Sequence, residues 1–229
     1  GPVGVFCASN FPLAFSVGGG DTASALASGC PVIVKAHHAH PGSALAVGHA
    51  VIAAVKSCGL PDGTFSLLYG GGRTVGQRLV KHPALKAVGF TGSRSGGRAL
   101  FDLAAARSEP IPVYAEMSSV NPIFLLPSVL ADRKEEFASG LQGSAVMGVG
   151  QFCTNPGVVI HEKGDVGDAF KTTYAELMSQ APASTMLHSG IRDAYGEGVS
   201  ARSGSSNVEV LTDAGEGRGA GGCEAATSA

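Results

Sequence analysis

Short apolar segments alternate with Ala- and Leu-rich segments of helical pattern along the first half of the chain, and this alternation most constrains the fold. The apolar segments are bounded by Gly, Pro or polar residues and have the length of buried strands. They predict five strands, at 3–8, 31–36, 64–70, 85–92 and 111–117. Apolar strands separated by helices are typical of a doubly wound parallel α/β sheet that is covered on both faces.

The same pattern restarts after Asn121-Pro122, with predicted strands at 123–126 and 156–162 and predicted helices at 134–148 and 165–180. The restart predicts a second α/β unit. We therefore divide the chain into a nucleotide-binding domain at 1–118 and part of a catalytic domain at 119–229. The last segment, 212–229, is small, polar and rich in Gly, and its composition is typical of a loop.

Charge and cysteine usage exclude several classes of protein. Sixteen Lys and Arg against 18 Asp and Glu give a formal net charge of −2, so neither a nucleic-acid surface nor a polybasic membrane patch is indicated. No uninterrupted apolar run is long enough to span a membrane, and Pro2 and Gly4 break the apolar start, so no signal peptide is predicted. The five cysteines have no CxxC spacing, which favours free thiols in a cytoplasmic, reducing compartment over disulfides or a zinc site.

Cys153 lies in "GVGQFCTNPG" (148–157), between a predicted helix and a Thr-Asn-Pro turn. A thiol that attacks a carbonyl needs to be reachable and to have donors nearby for the oxyanion, and backbone N–H groups at such a turn can supply them. The alternative on this context alone is a buried structural cysteine, which is the usual fate of this residue.

Two further residues follow predicted strands. Glu116 ends the strand at 111–117, where an apolar setting would favour a general base, although a strand-end glutamate that points into water fits the residues equally well. Asn10 follows the first strand in "CASNFPL" and could donate its amide N–H to an oxyanion, or could merely form a turn.

A Gly-rich turn and a lysine indicate a nucleotide site. "FTGSRSGG" (90–97) joins the fourth strand to a helix, and its helix N-terminus suits a phosphate, although the Gly92-x4-Gly97 spacing is not GxGxxG. Lys35 ends the second strand, where the adenosine ribose of a dinucleotide would lie in such a sheet.

Taken in order, these motifs resemble the aldehyde dehydrogenase superfamily over nearly all of the chain up to about residue 200. The matching segments are "ASNFP" (8–12), "VIVKA" (32–36), "GFTGSRSGG" (89–97), "YAEMSS" (114–119) and "GQFCTNPG" (150–157). The resemblance implies a Rossmann-like cofactor domain and an oxidation of aldehyde to carboxylic acid through a cysteine thiohemiacetal and thioester.

The family's roles can be carried to matching positions. Cys153 would attack the aldehyde, Asn10 and the Cys153 backbone N–H would stabilise the oxyanion, and Glu116 would activate the water that hydrolyses the thioester. On the cofactor side, the resemblance implies Lys35 at the adenosine ribose and Ser93 with its neighbouring glycines at the pyrophosphate. The full cofactor set is Lys35, His38, Gly92, Ser93, Gly97 and, in the Gly-punctuated helix after the third strand, Gly72 and Gly76.

Departures from the family pattern refine the prediction. Ser118 and Ser119 replace two glycines of the usual "E-L-G-G-K", and this form resembles the branch that oxidises 2-oxoglutarate semialdehyde, with fatty aldehyde dehydrogenases as close rivals.

His38 stands where NAD-preferring members often carry a Glu that binds the ribose hydroxyls. Because that carboxylate would repel a 2′-phosphate, we expect NADP to be the cofactor, with NAD also accepted. Three histidines in four residues also suit a metal, but no Cys or carboxylate adjoins them, so we predict no metal site.

The chain is shorter than members of this family, so we expect a fragment that could be inactive alone, and a homo-oligomer for the longer protein. Other interpretations stay open. Glu116 argues against a coenzyme-A-acylating enzyme, because thiol exchange needs no base. A non-catalytic nucleotide-binding module and a cysteine hydrolase that pairs Cys153 with a histidine are the remaining alternatives.

Overall fold

The computed structural model describes residues 1–212 together with the strand Glu224–Ala225. The chain divides into two compact units, Gly1–Ser118 and Ser119–Ala229. Most of the predicted Gly-rich tail, including Cys223, lies outside the described residues. No helix within the described part of the chain is both long and apolar enough to cross a membrane.

The first unit is built on a five-stranded sheet in which every neighbouring pair is parallel, which confirms the predicted fold class. The strand order is β3-β2-β1-β4-β5, so successive strands are added to one side of β1 and then to the other. The strands are β1 (Val3–Phe6), β2 (Val32–Lys35), β3 (Phe65–Leu68), β4 (Ala87–Thr91) and β5 (Val113–Glu116).

Helices cover both faces of this sheet. One buried cluster includes Val5 and Val34, and the other includes Phe6 and Val88, because successive side chains of a strand point to opposite faces. The helices are α1 (Gly20–Ala27), α2 (Pro41–Ser57), α3 (Gln77–Lys81) and α4 (Arg94–Ala105), with a π-helical turn at Gly72–Gly76.

A glycine follows the end of each of the first two helices. Gly29 and Gly59 have φ values of 72° and 64°, in the left-handed region that glycine enters without steric cost. Each is followed by a residue whose N–H donates back to the last turn: Cys30 to the Ala25 carbonyl and Leu60 to the Val55 carbonyl. This bonding pattern satisfies carbonyls that the end of a helix leaves without partners.

Arg107 anchors the connection that leads from α3 into β4. Its guanidinium donates hydrogen bonds to the backbone carbonyls of Val80, His82, Pro83 and Leu85. Five N–H donors in a fixed fork allow one arginine to satisfy several carbonyls of an irregular segment. The start of β4, and hence the Gly-rich turn after it, is fixed in part by this side chain.

The second unit has a smaller parallel pair, β6 (Pro122–Leu125) and β7 (Val158–His161), packed with α5 (Pro127–Val146) and α6 (Asp165–Ser179). A buried cluster that includes Leu125, Leu130 and Phe170 forms its core. Two strands of two residues, β8 (Ser184–Thr185) and β9 (Glu224–Ala225), pair antiparallel. Helix α7 (Ser189–Ser203), which the sequence analysis does not predict, follows β8.

Candidate functional site

The carboxyl edge of the five-stranded sheet gathers the predicted residues of the first unit. Lys35 ends β2 and Glu116 ends β5, while Asn10 follows β1 and Gly92 follows β4. The order β3-β2-β1-β4-β5 reverses direction between β1 and β4, and ligands of such sheets bind in the crevice outside the carboxyl ends at that reversal. The topology therefore brings Asn10 and Gly92 to the two sides of the expected crevice.

The segment that carries Asn10 is held by backbone hydrogen bonds. The Ala8 N–H donates to the Phe15 carbonyl at 2.8 Å, and the Ala8 carbonyl lies 2.7 Å from Nε2 of His40. Asn10 itself is half-buried. Its loop is thus fixed to both β1 and the start of α2, which suits a residue that must present an amide at a defined place.

Lys35 is an unusual lysine because only 7% of it is exposed. Within the described residues, no group accepts a hydrogen bond from its Nζ. Burial lowers the pKa of Lys35, an effect that the neighbouring Cys7 opposes only in part. Burial also raises the pKa of the Cys7 thiol, so Cys7 can oppose that effect only at alkaline pH, where it becomes a thiolate. Lys35 is a buried donor that a bound hydroxyl or phosphate oxygen could satisfy.

Replacing Lys35 by methionine should stabilise the fold and weaken cofactor binding. Methionine matches lysine as far as Cε but removes the charge at the end of a largely buried side chain, so we expect the free energy of unfolding to rise by on the order of 1 kcal/mol. Urea denaturation and an NADP+ titration measure the two effects. The exposed Lys163→Met is the matched control, and a loss of stability in Lys35→Met would contradict this account.

The pH dependence of that stabilisation follows from the lowered pKa of Lys35. Below its folded-state pKa the lysine is charged in both states, so the full penalty for burying the charge is present. As the pH rises through the folded-state value towards the unfolded-state value of about 10.4, the folded protein loses the proton first and the penalty disappears. The difference in stability between Lys35→Met and the wild type should therefore narrow at alkaline pH.

Three histidines follow Lys35 and stack on one another. The ring centroids of His37 and His38 are 4.3 Å apart, and those of His37 and His40 are 5.7 Å apart. His38 is exposed. An imidazole N–H can donate to a phosphate oxygen, so this stack beside Lys35 suits a phosphate. The described residues contain no group of three or more His, Cys, Asp or Glu side chains that could hold a metal ion.

The Gly-rich turn after β4 presents the N-terminus of α4. Ser93 caps this helix, with its Oγ accepting from the Gly96 N–H at 3.2 Å. The N–H groups of Arg94 and Ser95, in the first turn, have no partner within the helix and can bind an anion. A Cβ at Gly97 would lie 2.6 Å from the Met117 sulfur, and one at Gly92 would lie 2.8 Å from the Phe90 ring. Both glycines thus allow close packing around the turn.

The two predicted glycines of the π-helical turn differ in their surroundings. Gly76 is buried, and a Cβ there would lie 3.0 Å from the Phe6 ring of β1. Gly72 is exposed, with nothing close to the position of its missing side chain. Packing under the sheet accounts for Gly76 without a ligand, and cofactor contact at both glycines stays a prediction.

Of the two settings that the sequence allows for Glu116, an apolar environment and a position facing water, the structure shows the second. Its side chain is exposed, as is that of Tyr114, which is 70% exposed two residues earlier on the same face of the edge strand β5. Its backbone is well fixed, because the Glu116 carbonyl accepts from the Gly92 N–H at 3.0 Å. This bond ties the position of the predicted base to the Gly-rich turn.

Cys153 lies in the second unit, in a turn between α5 and β7, and is half-buried. Three successive residues before it, Gly148, Val149 and Gly150, have φ values of 59°, 58° and 67°. This conformation is rare for a β-branched residue such as Val149 and costs on the order of 1–3 kcal/mol. The predicted helix ends at residue 148, two residues beyond the observed end of α5 at Val146, and its residue pattern does not show this left-handed passage into the turn.

The backbone around Cys153 leaves donors available. The N–H groups of Cys153 and Thr154 donate to no acceptor among the described residues. Asn121 Nδ2 donates instead to the Cys153 carbonyl at 2.7 Å and to the Asn155 carbonyl at 2.9 Å. The sequence analysis treated Asn121 only as the point where the α/β pattern restarts, so its contact with this turn is a new finding.

A model of the aldehyde dehydrogenase family matches residues 1–192. The chain is 60% identical over 198 residues to alpha-ketoglutaric semialdehyde dehydrogenase 2 of Azospirillum brasilense, which covers 86% of this chain and 38% of that protein. It is 48% identical over 201 residues to alpha-ketoglutaric semialdehyde dehydrogenase of Acinetobacter baylyi, covering 88% of this chain and again 38% of the relative. The chain thus spans less than half the length of these relatives.

Solved structures resemble the fold. An NAD-dependent benzaldehyde dehydrogenase from Corynebacterium glutamicum superposes with a TM-score of 0.69 at 25% identity, over 87% of this chain and 43% of that one. A variant of proline utilization A from Bradyrhizobium japonicum gives a TM-score of 0.78 over 98% of this chain and 23% of that one. At 22% identity the second likeness concerns the fold alone.

Proposed function

Because this chain belongs to the aldehyde dehydrogenase family, we propose that the natural protein that carries it (the parent protein) oxidises 2-oxoglutarate semialdehyde to the carboxylic acid with NAD(P)+. The observation that carries the proposal is the 60% identity to a relative of that specificity, over a stretch that includes Cys153 and its turn. A second relative of the same name at 48% identity supports the same substrate.

The family uses NAD(P)+. We assign the cofactor site to residues of the first unit. Lys35 supports it, because the ammonium at the end of this largely buried side chain can donate to a ribose hydroxyl oxygen. The first turn of α4 supports it too, since its free N–H groups suit a pyrophosphate. His38, stacked on His37, carries no negative charge that would repel a 2′-phosphate, so we propose NADP+ as the better cofactor and NAD+ as an accepted one.

The first half of the proposed reaction belongs to Cys153. Its thiolate attacks the aldehyde carbon, the S–C bond forms, and the carbonyl π electrons move to the oxygen. The N–H groups of Cys153 and Asn10 would donate to that oxyanion, as positioned donors do in acyl-transfer enzymes. The bound nicotinamide supplies the hydride acceptor. As the C–H bond breaks, the C=O bond reforms and Cys153 holds the acyl group as a thioester.

The second half belongs to Glu116. Its carboxylate would take a proton from water while the water oxygen bonds to the thioester carbon. The C–S bond then breaks, and its electron pair returns to Cys153 as the thiolate. The hydrogen bond from the Gly92 N–H to the Glu116 carbonyl fixes the backbone at this residue, and that defined position supports the assignment.

An assay of the parent protein tests this proposal. Absorbance of the reduced cofactor is followed with 2-oxoglutarate semialdehyde and with decanal, each with NADP+ and with NAD+. We expect kcat/KM for the semialdehyde to exceed that for decanal by at least about tenfold, and NADP+ to be the better cofactor. A preference for decanal would assign the protein to the fatty aldehyde branch, and no reduction of either cofactor would contradict the reaction itself.

A further inference from the structure

We propose that Asn121 is a positioning residue for the nucleophile, holding the turn that carries Cys153 through two hydrogen bonds from a single amide. Its role in the reaction depends on the proposed function, because Asn121 would act only through Cys153. Asn121 binds the backbone of the turn and has no bond to the sulfur, so it is not itself a catalytic residue.

The two bonds use both hydrogens of the Asn121 amide. Nδ2 lies 2.7 Å from the Cys153 carbonyl oxygen and 2.9 Å from the Asn155 carbonyl oxygen, and the amide is partly buried. Asn155 extends the connection, because its own Nδ2 donates to the Ala145 carbonyl near the end of α5 at 2.7 Å. The turn is thus tied on one side to the start of β6 and on the other to α5.

The backbone of the two segments is shaped for this contact. Asn121 has a φ of 47°, in the left-handed region that asparagine tolerates better than most residues with a side chain. Close by, the Gly157 N–H donates to the Val120 carbonyl at 3.0 Å, and a Cβ at Gly157 would lie 2.6 Å from that oxygen. The two segments run side by side into β6 and β7, which pair from Pro122 and Val158 onward.

The bond to the Cys153 carbonyl determines where the neighbouring N–H points. In a trans peptide the C=O and the following N–H point in opposite directions, so fixing the Cys153 oxygen also fixes the Thr154 N–H. That N–H and the N–H of Cys153 have no acceptor among the described residues. Asn121 therefore fixes the direction of one available donor beside the thiol, the Thr154 N–H, and restricts the rotation of the residue that bears the thiol.

Site-resolved alkylation of this chain tests the inference without any need for activity. Iodoacetamide labelling at a series of pH values, followed by peptide mass spectrometry, gives the rate at Cys153 relative to the exposed Cys58 of the first unit. Asn121→Gly keeps the left-handed conformation free of strain and removes both donors, whereas Asn121→Asp keeps the shape but turns a second oxygen toward the carbonyls. Asn207→Gly, at an exposed asparagine, is the matched control.

We expect Cys153 in both Asn121 variants to react about fivefold more slowly than in the wild type across the pH series, with the rate at Cys58 unchanged. Asn207→Gly should behave as the wild type. In the parent protein, the Asn121 variants should lower kcat about tenfold and leave the affinity for the cofactor unchanged. A wild-type rate and profile at Cys153 would overturn the proposal, and so would a faster rate, which a merely loosened turn would give. If neither Asn121 variant folds, Asn155→Ala takes their place. It should also lower the alkylation rate at Cys153, and an unchanged or faster rate would overturn the proposal.

The alkylation test of Asn121 can succeed or fail independently of the proposed function. Alkylation reports on the turn whether or not the parent protein oxidises an aldehyde. If the parent protein shows no oxidation while the Asn121 variants slow Cys153, the positioning role stands and the reaction assigned to the thiol is wrong.

Discussion

Replacing Cys153 by alanine in the parent protein is expected to abolish aldehyde oxidation and to leave cofactor binding unchanged. Without the sulfur there is no covalent acceptor for the aldehyde carbon, and no thiohemiacetal forms from which hydride could leave. We expect the rate of cofactor reduction to fall by on the order of 10⁴-fold or more. Steady-state absorbance at saturating aldehyde measures the loss, and a fluorescence titration with NADP+ measures binding.

The substitution is a clean test because the fold around Cys153 does not depend on the sulfur. The side chain is half-buried and lies outside the buried core of its unit, while Asn121 bonds to the carbonyl of residue 153, which alanine retains. Cys58→Ala, which removes an exposed thiol at the end of α2, is the control. Wild-type activity in Cys153→Ala would remove the nucleophile assignment, and loss of activity in Cys58→Ala would show a general sensitivity to loss of a thiol.

The fold of the first unit could be predicted from the sequence because the signals that specify its strands and helix ends lie in neighbouring residues. Each strand of the sheet is a short apolar run, and each of the first two helices ends at a glycine with positive φ, so type and position follow from neighbouring residues. Helix α7 has none of these signals. It buries no residue and contains Gly190, Gly196 and Gly198, so neither an apolar stripe nor helix propensity marks it.

The candidate site could be predicted as far as its residues carry characteristic chemistry. Lys35 and Cys153 are recognisable because lysine at a strand end and cysteine in a turn are informative residue types. Asn121 could not be recognised in this way, because it bonds to carbonyls that lie 32 and 34 residues away along the chain. The exposure of Glu116 also could not be read from the sequence, since an edge strand and an inner strand can share one apolar pattern.

Changing Glu116 to glutamine in the parent protein is expected to separate the two halves of the reaction. Glutamine keeps the size of the side chain and cannot accept a proton from water, so the thioester should form normally and then persist. Stopped-flow absorbance should show a burst of about one reduced cofactor per active site, followed by a steady state that is on the order of 10²–10⁴-fold slower.

A thiol acceptor distinguishes a lost base from a damaged site. Thiol exchange needs no general base, so adding 2-mercaptoethanol should intercept the thioester of Glu116→Gln and restore turnover, with the product released as a new thioester. Glu162→Gln is the matched control, because Glu162 is also an exposed glutamate at the carboxyl end of a strand. An unchanged steady state would exclude Glu116 as the base, and an absent burst would show that Glu116 acts before the thioester forms.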